Sequence, residues 1–128
     1  MRPHRQLGEY LQEVETALGA LRGASVEYYL EELLTASRAN LRVRLRFAND
    51  RFLEINEAVV VEGQVVRHLD YRYHCQDQER RLIFRYDSTP HFPDLPGFPH
   101  HKHLPNETLP AERPMIAAVL EEAATGSA

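Results

Sequence analysis

Leu7, Tyr10, Leu11, Val14, Leu18 and Leu21 recur at three- and four-residue spacing, while Glu9, Gln12, Glu13 and Glu15 occupy the other side. This pattern predicts an amphipathic helix over 4–21 whose apolar stripe joins a core. Gly23 stands just past its end as a stop. Over 25–37, Val26, Tyr28 and Leu30 alternate as in a strand, although Leu30, Leu33 and Leu34 also suit a helix; the strand is favoured. From 40 to 47 the alternation is clean, with Leu41, Val43, Leu45 and Phe47 opposite Arg42, Arg44 and Arg46. Further alternating runs follow at 52–61, 65–75 and 81–87, separated by Asn49-Asp50, by Glu62-Gly63-Gln64 and by the polar stretch 76–80. Short links between consecutive strands imply an antiparallel meander with one face on the core. Met115, Ile116, Val119, Leu120 and Ala123 share one side of a short helix over 111–124, with Pro114 in its first turn.

The expected architecture is therefore α+β in a single domain, 1–128. An N-terminal helix is followed by a sheet of about five strands over 25–87, then a long loop over 89–110 and a C-terminal helix. Seven of the 8 prolines lie between 90 and 114, and four of the 7 histidines lie between 91 and 103. That proline spacing argues against a regular helix or central strand from Thr89 to Pro114. A loop of about 25 residues inside a domain is usually functional or disordered. Phe92, Leu95, Phe98 and Leu104 offer it apolar anchors.

The chain of 128 residues is otherwise ordinary, 43% hydrophobic and 27% charged. Its single cysteine, Cys75, excludes an internal disulfide framework and fits a reducing compartment. No apolar run approaches a membrane span and no secretory pattern follows the basic N-terminus, so the expected location is the cytoplasm. The formal charge of −4 hides an asymmetry: residues 38–103 carry a net +2 and each flanking segment a net −3.

The densest chemistry lies in Arg85-Tyr86-Asp87-Ser88-Thr89-Pro90-His91 and Phe98-Pro99-His100-His101-Lys102-His103. Histidine donates or accepts protons near neutral pH. Arg85 and Lys102 can bind a phosphate and stabilise charge developing on it. His91, His100, His101 and His103, with Asp87, Arg85 and Lys102, are the candidate catalytic set for phosphodiester cleavage without a metal. Neither a thiolate partner nor a His-Glu-x-x-His spacing accompanies the histidines, so no cofactor is expected. A metal-dependent hydrolase built on the same histidines, and a non-enzymatic protein that blocks its target through this loop, are the alternatives. Arg42, Arg44, Arg46 and Arg72, with Tyr73 as a possible stacking ring, form the candidate RNA-binding set. The opposing reading is a solvated face neutralised by Glu54, Glu57 or Asp70. Glu57 itself falls on the apolar alternation and requires a partner such as an arginine or His74.

Tyr71-Arg72-Tyr73-His74, Leu82-Ile83-Phe84-Arg85-Tyr86-Asp87, Pro90-His91 and Phe98-Pro99-His100-His101-Lys102-His103-Leu104 resemble the signature of the TumE-type toxin family. The likeness extends over about residues 7–122 and includes the arginine-rich strand, turn and glutamate from Arg42 to Glu57. Ser88-Thr89 stands where the family often has Asn-Ala, and Phe92 where a further histidine is common. The resemblance implies an intracellular toxin paired with a helix-turn-helix antitoxin of the TumA type, with ribonuclease activity inferred by analogy; a homo-oligomer is a separate expectation about partners.

Overall fold

The computed structural model describes residues 1–89 and 98–125. Helix α1 (Arg5–Gly19) is followed by strands β1 (Ala24–Thr35), β2 (Arg38–Phe47), β3 (Phe52–Glu62), β4 (Val65–Gln76), β5 (Leu82–Asp87), β6 (His101–Leu104) and β7 (Glu107–Pro110), and by helix α2 (Ile116–Thr125). All seven strands form one antiparallel sheet in chain order. The expected α+β class and meander hold. The strand count does not: the stretch expected to be loop from 89 to 110 contains the β6–β7 hairpin. Its described prolines, Pro99, Pro105 and Pro110, fall where a ladder tolerates them. None interrupts His101–Leu104, and Pro110 ends the edge strand.

Alternation decides which face is covered. Leu41, Val43, Leu45, Phe47, Leu53, Ile55, Tyr71, Tyr73, Cys75 and Phe84 point to one side and are buried there. Both helices lie on that side: Val14 of α1 and Ile116, Val119, Leu120 and Ala123 of α2 join the same cluster. Leu7 and Leu11 pack with Ala39, Val59 and Val61 beside it. Asn49, in the turn between β2 and β3, donates from Nδ2 to the Ala123 carbonyl (3.1 Å), satisfying an acceptor at the end of α2. The β3–β4 turn needs a left-handed residue and has Gly63 there, at φ +66°.

Glu57 lies among the apolar residues on the helix side, and the structure supplies its partners. The Tyr10 hydroxyl donates to Oε1 (2.5 Å), the Tyr73 hydroxyl to Oε2, His68 Nε2 stands 3.2 Å from Oε1, and Arg113 Nη1 is 4.0 Å from Oε2. Arg113 also donates to the Tyr73 hydroxyl (3.1 Å). The expected partner His74 is on the opposite face, because β4 side chains alternate. Burial pushes the Glu57 carboxyl up, but the bonds from His68, Tyr10 and Tyr73 outweigh it and hold it below its ordinary value of 4.5. Burial and the Glu57 charge push both tyrosine hydroxyls up.

A carboxyl whose pKa is depressed in the folded state contributes stability above its unfolded value and loses it as pH falls through the folded one. Acid titration of stability below pH 4.5 is therefore expected to be shallower in Glu57→Gln than in the unsubstituted protein. Identical acid profiles by circular dichroism would contradict this.

Candidate functional site

No helix packs on the second face of the sheet among the described residues, and the strand register arranges that face in rows. One row runs Leu30, Arg42, Asn56, Arg72, Asp87, His101; the next runs Tyr28, Arg44, Glu54, His74, Arg85, His103. Directly opposed residues on neighbouring strands have adjacent side chains on the same face. The five-strand meander and the β6–β7 hairpin together thus bring arginines and histidines from four strands, β2, β4, β5 and β6, onto one surface.

At the basic end, Glu54 lies against two guanidinium groups, 3.4 Å from Arg42 and 3.6 Å from Arg44, while Arg46 meets Glu27 at 3.3 Å. The arginine stripe is therefore partly neutralised across strands. The three arginine side chains nonetheless remain about half exposed, at 54%, 51% and 54%. A cleft of about 450 Å³ opens beside them, lined by Arg44, Phe52, Glu54, His74, Gln76 and Arg80.

At the other end, His74, Arg85 and His103 are successive cross-strand neighbours, imidazole, guanidinium, imidazole. Arg85 Nε donates to His74 Nδ1 (3.1 Å), and His74 Nε2 lies 3.1 Å from Gln76 Oε1. Burial, with Arg85 and Arg72 nearby, lowers the His74 pKa below its ordinary 6.5 against the opposing effect of Gln76. His74 is consequently a neutral imidazole at pH 7. On the far side of Arg85, His103 turns Nε2 toward Asp87 Oδ2 (3.6 Å) and Nδ1 toward the Thr108 hydroxyl (3.3 Å).

Asp87 and His101 are each 1% exposed. His101 Nε2 meets Asp87 Oδ1 at 2.6 Å, and its Nδ1 lies 2.7 Å from the Pro99 carbonyl. A carbonyl only accepts, so Nδ1 carries hydrogen there. The Thr89 amide donates to Asp87 Oδ1 at 3.3 Å. His101 thus holds the carboxylate, and the carboxylate backs His103. Asp87, His101 and His103 each offer one ligand atom, all within 4.8 Å of one another, so among the described residues this group could also hold a metal ion.

The other expected site residues lie elsewhere. His100 Nδ1 is 2.9 Å from the Tyr71 hydroxyl, and its ring stacks on the Tyr71 ring at 5.8 Å. Lys102 projects to the helix side, where it donates to Glu122 (2.7 Å) and sits over the Tyr86 ring. It shares a strand with His101 and His103 but alternation turns it away from them. Tyr73, expected as a stacking ring, is fully buried against the helices and bonded to Glu57. Cys75 is buried on that same side, its thiol pushed up to about 11 by burial. His91, with Phe92 and Leu95, falls outside the described residues. His74 was not among the expected catalytic residues. Its alternation with Tyr73 and Cys75 already put it on the arginine side, but its place beside Arg85 depends on the β4–β5 register.

Seven antiparallel strands with both helices on one face, and a histidine–carboxylate group on the other, define a small α+β protein with an open sheet face. The chain belongs to the toxin TumE family, whose model matches residues 20–125. It is accordingly a toxin of a toxin–antitoxin pair, with an antitoxin as its partner. No curated protein and no solved structure matches the chain. No helix of the described residues is long and apolar enough to cross a membrane.

Proposed function

We propose that this toxin acts on RNA, binding its backbone on the open sheet face and cleaving it by acid–base chemistry without a metal. The observation that carries the reading is the row His74, Arg85, His103. Cleavage next to a ribose needs a base for the 2′-hydroxyl, an acid for the leaving 5′-oxygen and a cation for the phosphorane between them. Two imidazoles with a guanidinium between them meet that requirement in order along the sheet.

The environments divide the roles. His74, kept neutral, is the base; His103, backed by Asp87, is the acid. Arg85 spends Nε on His74 and has four further N–H groups for a phosphate. A phosphate that draws Arg85 toward it releases His74 Nδ1 for the 2′-hydroxyl. The proton taken at Nδ1 leaves the 2′-oxygen free to attack phosphorus. His103 then gives a proton to the departing 5′-oxygen, and a 2′,3′-cyclic phosphate remains. His101 and Asp87 act as positioning residues. A helix-turn-helix antitoxin that covers Arg42, Arg44 and Arg46 with acidic groups would neutralise the toxin by competing with RNA.

Binding is tested by titrating a 2′-O-methyl oligonucleotide, which cannot be cleaved, at several salt concentrations. Arg44→Gln is expected to weaken binding and to lower the salt slope by about 1. An unchanged slope would return the stripe to a solvated face.

A second reading, a metal-dependent hydrolase, is favoured by the convergence of Asp87, His101 and His103. Cleavage that disappears in EDTA and returns with a divalent ion would establish it in place of the acid–base mechanism.

A further inference from the structure

The aromatic expected to stack on RNA, Tyr73, is buried, yet the open face has an aromatic of its own. Tyr28 is 47% exposed and is paired with Arg44 at the head of the row that continues through Glu54 and His74 to Arg85 and His103. With Arg42, Arg44 and Glu54 it lines a shallow cleft of about 240 Å³. The neighbouring ring on this face, Phe52, is already covered by the Arg46 guanidinium at 4.5 Å.

We infer that Tyr28 is a base-stacking platform, and that the ligand of this face is single-stranded RNA with one unpaired base on that ring. The inference rests on the RNA reading above and adds to it the strandedness of the substrate and the residue that selects it. A half-exposed ring beside two arginines combines the two elements of single-strand binding, a π-face and a phosphate partner. Four strand steps separate Tyr28 from Arg85, roughly 19 Å at about 4.8 Å per step. A chain held by its base at Tyr28 and by a phosphate at Arg44 therefore runs along the row toward the two imidazoles. A duplex keeps its bases paired and offers no such face at its surface. Stacking is tolerant of base identity, so Tyr28 selects unpaired over paired RNA rather than one base over another.

The chain has no tryptophan, so Tyr28→Trp provides a single indole reporter at the site. It is titrated with a single-stranded 2′-O-methyl oligonucleotide, the same strand lacking its bases, and the duplex, with binding followed separately by anisotropy of a label on the nucleic acid. The base-bearing single strand is expected to quench the indole, and the abasic strand and duplex to leave it bright. Tyr28→Ala is expected to weaken single-strand binding at least about fivefold with the salt slope unchanged, and Tyr28→Phe to restore it. Binding by anisotropy with no quenching, or Tyr28→Ala binding as tightly as the unsubstituted protein, overturns the platform and leaves the RNA reading standing. No binding of any strand to the unsubstituted protein overturns both.

Discussion

Glu57→Ala is expected to cost about 3–5 kcal/mol of folding stability, the range for removing one partner from a buried charged network. The substitution removes the acceptor of the Tyr10 and Tyr73 hydroxyls and the counter-charge of His68 and Arg113 in one step. The Tyr73 hydroxyl then loses its acceptor inside the helix–sheet interface, where an unsatisfied polar group costs about 1–3 kcal/mol, and the Tyr10 hydroxyl keeps only His68 Nε2, at 3.0 Å. Arg113 keeps its bonds to the Tyr73 hydroxyl and the Pro114 carbonyl, which limits the damage on that side. Tyr10 comes from α1, Glu57 from β3, His68 and Tyr73 from β4, and Arg113 precedes α2, so the loss loosens the attachment of both helices. Urea unfolding gives the value. A change under about 1 kcal/mol would show that the network is replaceable by water.

His103→Ala and His74→Ala are each expected to lower cleavage by about a hundredfold or more, the usual contribution of a positioned acid or base. Neither ring belongs to the helix-side core, so both variants are expected to fold and to bind antitoxin. The pH profile separates the two roles. In the unsubstituted protein the profile is expected to be a bell whose acid limb follows His74. That limb lies below 6.5, because burial and the two arginines depress His74. Arg72→Gln removes one of those charges and is expected to move the acid limb upward. A limb that stays in place, or a His103→Ala variant as active as the unsubstituted protein, would remove these imidazoles from the chemistry.

Much of the fold was legible because its signals are local. The stripe Leu7, Leu11, Val14 and the alternation of Leu41, Val43, Leu45 and Phe47 each identify an element and the face it buries. The β6–β7 hairpin was not legible, because proline density says where ladders are disfavoured and not where four free residues suffice. A bulge between Ala58 and Val59 in the β3–β4 pairing is equally silent in the sequence. Beyond it Leu69 is left 39% exposed, while His68 turns to Glu57.

The site was legible as a composition and not as a geometry. The cluster Arg85, Asp87, His101 and His103 stands out by residue type, and pairing across β5 and β6 draws it together. Lys102 and His100 lie in the same short segment and go elsewhere, because alternation and a contact with Tyr71 decide their direction. Tyr28 lies in no motif, and the run that ends at His74 does not say which residues it faces. Their relation to Arg85 and Arg44 exists only through cross-strand register, which sequence spacing does not express.

The most direct test of the account is the fate of an end-labelled single-stranded RNA incubated with the toxin in EDTA. Cleavage is expected to leave 2′,3′-cyclic phosphate ends, to be blocked by the antitoxin, and to be lost in His74→Ala and His103→Ala. A protein that kills cells and is neutralised by its antitoxin, yet leaves this RNA intact, would contradict it.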